Sequence, residues 1–140
     1  MNTPLLTLAL QIAAAGQLCV AVLNLFLPRL LGWRDDLAKM PLLIREVFQI
    51  HVWFISITLA IFVAITWRFA AEMNVNPVCR WLAGAISIFW GIRTVLQLSY
   101  YSSSHWRGIP SRTAVHVVLL AAYGCLTAVY GLAALGFFRG

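Results

Sequence analysis

Acidic side chains are almost missing from this chain. Four Asp and Glu stand among 140 residues, and charged residues of both signs make up 10% of the sequence. Soluble globular domains carry about 25% charged residues, so a water-soluble fold is excluded. A carboxylate-rich di-iron centre takes Glu-x-x-His pairs from the helices of a bundle, and neither Glu46 nor Glu72 has a histidine three residues on. Cysteine is sparse too. Cys19, Cys79 and Cys125 are odd in number, widely spaced and without a CxxC, which argues against thiol exchange and reads them as small hydrophobes. No basic run is present either. The ten Lys and Arg give a net charge of +6, but they are scattered at the ends of apolar stretches and form no face that could follow a nucleic-acid backbone.

What fills the sequence is hydrocarbon: 62% of residues are hydrophobic and the mean hydropathy is +0.88. Four stretches, Leu5–Leu27, Leu42–Ala71, Pro77–Tyr101 and Arg112–Phe138, each reach the roughly 20 residues that cross about 30 Å of hydrocarbon. The expected fold is all-α, four transmembrane helices in an antiparallel bundle, forming a single domain over residues 1–140 that lies in a lipid bilayer. The first stretch has no basic leader and stays apolar beyond Ala13, Ala14 and Ala15, so it is expected to remain as a span. Arg29, Arg34, Lys39, Arg45, Arg107 and Arg112 flank the first and third loops, against Arg68, Arg80 and Arg139 on the other side. Cytoplasmic loops hold the excess of Lys and Arg, which puts both termini on the non-cytoplasmic side.

Local signals mark the boundaries. Pro28 and Pro41 bracket the first loop, Asn76 before Pro77 is a capping signal for the third span, and Ser111 after Pro110 offers the same for the fourth. Gly84 and Gly91, with Gly124, Ala128 and Gly131, predict close backbone approach between the third and fourth spans.

Polar residues inside hydrocarbon are costly and concentrate where they pair, bind or react. Arg93, Gln97 and Tyr100 recur at i, i+4 and i+7 on one face of the third span. Arg93 lies roughly 12 Å inside the helix end by helical rise, so it calls for a partner. Glu46 is the anionic candidate on the same side. Two readings stay open: an Arg93–Glu46 pair that ties two spans together, or an Arg93 that receives a haem propionate, a quinone oxygen or a substrate carboxylate, oriented by Gln97 and Tyr100. On the fourth span His116, Tyr123 and Tyr130 recur every seven residues, with Leu120, Thr127 and Ala134 completing an inward seam. His51 lies about 14 Å into the second span and by this count is the deepest histidine. It is five residues from Glu46, which turns the two about 140° apart. His105 falls in the third loop beside Trp106, and Gln17 and Asn24 form a polar face on the first span.

Three functions follow as expectations. The leading one is a redox cofactor or lipophilic-ligand site near loops one and three, formed by His51, His116, Arg93, Gln97, Tyr100 and Glu46, for haem b with His51 and His116 as its metal-ligating pair, or for a quinone. The second is a membrane enzyme in which Arg93 binds an anion and Tyr100, Tyr101 or His116 supplies a proton. With four spans, a basic first loop and an Arg followed by Tyr in the third span, the chain resembles the membrane-associated eicosanoid and glutathione metabolism proteins over Arg45–His51 and Arg93–Tyr101. It departs from them in lacking an Asn-x-x-Glu pattern in the second span. The third is a noncatalytic accessory or assembly subunit of a larger membrane complex or homo-oligomer, with a partner fixing the polar groups.

Overall fold

The structure is a computed structural model that describes residues 3–99 and 110–137. Its elements are α1 (Thr3–Leu30), α2 (Arg34–Ala38), α3 (Leu42–Phe69), α4 (Pro77–Ser99) and α5 (Pro110–Leu135). Among the described residues there is no strand. The four long helices are long and apolar enough to cross a membrane, and the chain is a small polytopic membrane protein of the all-α class that its hydropathy predicts. The first loop contains the one-turn helix α2.

The helix ends follow from individual residues. At the start of α4, Asn76 Oδ1 accepts a hydrogen bond from the Val78 N–H at 2.9 Å, and Pro77 takes the first helical position, where no N–H is needed. Ser111 lies within α5 and not ahead of it. The helix already includes Pro110, because proline suits the first helical position and moves the boundary ahead of the serine. At the other ends, Gly32 (φ 67°) and Gly136 (φ 65°) adopt the left-handed conformation. Trp33 N–H then reaches Pro28 O and Gly32 N–H reaches Arg29 O, while Phe137 N–H reaches Leu132 O and Gly136 N–H reaches Ala133 O. This pattern satisfies carbonyls that would otherwise be orphaned. Arg80 Nε donates to Ala134 O at 2.9 Å, adding a cation where the dipole of α5 is negative.

The chain divides into two compact units, one of Met1–Ala13 and Phe69–Gly140, the other of Ala14–Arg68. In the second unit α1 and α3 run antiparallel. Asn24 Nδ2 donates to Val52 O at 3.2 Å and to Ser56 Oγ at 3.1 Å, and Ser56 Oγ donates to Ala21 O at 3.1 Å. The polar face expected around Asn24 is thus a cross-helix hydrogen-bond network, the kind of contact that hydrocarbon favours because no water competes for it. Gln17 is fully buried on the same helix.

In the first unit α4 and α5 pack antiparallel, in register from Arg80 against Ala134, through Ser87 against Thr127 (Ser87 Oγ to Thr127 O, 2.8 Å), to Gln97 against His116. A Cβ on Gly84 would lie 3.6 Å from Ala134 Cβ, one on Gly91 3.5 Å from Thr127 Cγ2, and one on Gly131 3.2 Å from Ser87 Oγ. Three of the five small residues therefore sit at the crossing as expected. Gly124 does not, having open space where its Cβ would be, and Ala128 is exposed. Gly124 stands seven residues before Gly131 and so shares its face, but nothing lies within 4 Å of where its Cβ would be. Valine at Gly131 is expected to push α4 and α5 apart and to cost about 1–3 kcal/mol of stability, read as an earlier midpoint in denaturing-detergent titration. Valine at Gly124 should leave that midpoint unchanged.

Candidate functional site

The polar residues of α4 and α5 meet in one cluster. Trp90, Arg93 and Gln97 stand at i, i+3 and i+7 on α4 and so share a face; His116 and Tyr123 stand at i and i+7 on α5. Gln97 is 3% exposed, Tyr123 4% and Trp90 1%, whereas Arg93 and His116 are half-buried. Gln97 Nε2 lies 2.8 Å from His116 Nδ1. The contact joins the two side chains, with the tautomer of the His116 ring setting which of them donates. One and two turns deeper, the Tyr123 ring stacks on Trp90, with centroids 5.2 Å apart and planes at 27°. The Arg93 guanidinium carbon lies 5.4 Å from the centroid of that same tyrosine ring. A guanidinium so placed is attracted by the ring quadrupole, more strongly when water is excluded. Phe89 meets Trp90 edge-on at 5.4 Å and fixes the indole.

Gln97, Tyr123 and Trp90 are buried, and in such low-dielectric surroundings a polar contact is electrostatically stronger than in water. The arrangement puts a cation, an amide and an imidazole N–H within two turns of one helix pair. That set suits an electron-rich oxygen, such as a carbonyl or a carboxylate. Among the described residues, no three His, Cys, Asp or Glu side chains group as a metal site.

Other candidates fall elsewhere. Glu46 is exposed on α3, where it lines a surface cleft with Arg34, Arg45 and Gln49, and among the described residues it takes part in no ion pair; the Lys39–Asp36 contact at 3.6 Å joins two exposed loop residues. His51 is exposed, whereas His116 is half-buried. The face of α3 that meets α1 is marked by Val52 and Ser56, and His51, five positions before Ser56, is turned about 140° from it. It belongs to the unit of α1 and α3, His116 to that of α4 and α5. Tyr100, Tyr101 and His105 lie outside the described residues. On α5, Tyr123 and Tyr130 are buried, and Leu120, Thr127 and Ala134 half-buried, which gives the inward seam its expected face.

Trp90 is the site residue that periodicity could have found and did not single out. It is one turn before Arg93 on the same face, and an indole beside an intramembrane arginine is a signal in itself. Ser56 stands seven residues after Gln49 on α3, a spacing that shares a helix face but does not indicate Asn24 as its partner. No known protein family, curated protein or solved structure matches the chain.

Proposed function

We propose that the protein binds a lipophilic carbonyl compound of the quinone type at the Arg93, Gln97 and His116 cluster between α4 and α5. The observation that carries this reading is the 2.8 Å contact of Gln97 Nε2 with His116 Nδ1. In the tautomer with the ring hydrogen on Nε2, His116 offers a donor of the polarity a ligand carbonyl needs. Arg93 supplies positive charge for the oxygen, and the Trp90–Tyr123 stack supplies a flat aromatic wall on which a planar ring can lie.

The same bond weighs against haem b. A histidine that ligates a metal through Nε2 presents a lone pair there and donates its other N–H outward to an acceptor. In the tautomer in which Gln97 donates to Nδ1, His116 has the opposite polarity, and on that tautomer the quinone reading is preferred to a His51 and His116 axial pair. A short-chain benzoquinone titrated into detergent-solubilised protein is expected to quench tryptophan fluorescence saturably, with a dissociation constant of about 1–100 μM. Linear, unsaturable quenching over that range would remove the reading.

The charge distribution supports termini on the non-cytoplasmic side, with the α1–α3 connection facing the cytoplasm. Alkaline phosphatase fused after Gly140 is then expected to be active in a bacterial host, and a fluorescent protein fused at the same place to be dark. The reverse pair of results would invert the topology.

A further inference from the structure

We propose that the mouth between α1, α2 and α3 is a binding site for an anionic phospholipid, separate from the cluster on α4 and α5. A cleft of ≈ 410 Å³ opens there, lined by Arg29, Arg34 and Gln49 at its rim and by Phe26, Val52 and Trp53 among its apolar walls. All of these residues belong to the unit Ala14–Arg68.

The cleft is graded from polar to apolar along the helix axes. On α1 the step from Arg29 back to Phe26 is one turn deeper into the span. On α3, which runs the other way, the step from Gln49 to Val52 and Trp53 is again one turn deeper. An amphiphile fits that gradient, its headgroup at the arginines and the start of an acyl chain along Phe26, Val52 and Trp53.

Charge then selects the headgroup. Two arginines line this cleft and no acidic side chain does. Among the described residues neither arginine is in an ion pair, and Asp36 is engaged by Lys39 at 3.6 Å. Arg29 is held near the cleft wall, its guanidinium carbon 6.0 Å from the Phe26 ring centroid. A planar guanidinium matches the oxygens of a phosphate diester, and basic pockets at the ends of membrane helices bind anionic lipid headgroups. Phe26 is 46% and Trp53 61% exposed, as a wall that a lipid chain covers would be.

The test uses the full chain in detergent, titrated with phosphatidylglycerol or with phosphatidylcholine of the same acyl chains and read by native mass spectrometry. A single phosphatidylglycerol is expected to be retained in preference to phosphatidylcholine. The double variant Arg29→Gln, Arg34→Gln should lower that retention about tenfold, and Lys39→Gln, which removes the same kind of charge outside the cleft, should not. Equal retention of the two lipids, or an equal loss in Lys39→Gln, overturns the proposal, as does displacement of the lipid by millimolar inorganic phosphate, which would indicate a plain anion site. A second measurement leaves the arginines intact. Brominated phosphatidylglycerol should quench the part of the fluorescence that Trp53→Phe removes more strongly than brominated phosphatidylcholine, and equal quenching contradicts the assignment.

Discussion

Leucine at Gln97 is expected to weaken quinone binding at least about tenfold, a loss of one charge-free hydrogen bond. The volume of the side chain is nearly kept and the α4–α5 contact persists, so the protein should remain folded and monodisperse. His116→Ala is expected to have an equal or larger effect, because it removes the donor itself. Arg93→Gln should weaken a carbonyl ligand less than Gln97→Leu, and an anionic ligand more. The ranking therefore separates the two oxygen chemistries that the cluster can receive. Fluorescence titration against a short-chain quinone, with a fatty acid as the anionic comparison, measures all three variants. Unchanged affinity in both Gln97→Leu and His116→Ala would make the cluster purely architectural.

Alanine at Trp90 is expected to be the most destabilising single change on α4. Removing a large aromatic from a soluble core costs about 3–5 kcal/mol. In a bilayer the unfolded helices already sit in hydrocarbon, so the share owed to leaving water falls away. What remains is packing: Trp90 is 1% exposed and loses its stack on Tyr123 and its edge contact with Phe89. About 2 kcal/mol is expected from that lost dispersion, seen as a lowered midpoint in denaturing-detergent titration. The variant should also free the Tyr123 ring and so disturb Arg93, lowering quinone affinity without touching a hydrogen-bonding group. Trp90→Phe, which keeps an aromatic face, should recover most of both.

Hydropathy made the four spans legible because a run of about 20 apolar residues has few alternatives. It placed the starts of α3 and α4 at Leu42 and Pro77, where the structure has them. Periodicity was nearly as informative about faces: Arg93 and Gln97 do share one, and the Tyr123 and Tyr130 seam does turn inward. Neither could specify partners. Arg93 suggested an anion, and Glu46 was the one at hand, yet a ring quadrupole attracts a guanidinium as well and needs no second buried charge. The pairing of Gln97 with His116 depends on the register of two antiparallel helices, which Gly84, Gly91 and Gly131 set through contacts that spacing on either helix alone does not reveal. Depth also misled. Helical rise put His51 well inside α3, but exposure depends on rotation about the axis, and His51 is turned from the face that Asn24 and Ser56 join. Arg80 illustrates a further gap: it counted only towards topology, whereas its Nε donates to the Ala134 carbonyl near the end of α5.

The most direct measurement is purification from native membranes in mild detergent, followed by an absorption spectrum and mass spectrometry of the co-purifying small molecules, for the wild type and Gln97→Leu side by side. A quinone-class molecule retained by the wild type and depleted in Gln97→Leu, with no Soret band in either, is the result this account predicts. A Soret band that disappears with His116→Ala, or a quinone content that Gln97→Leu leaves unchanged, would contradict it.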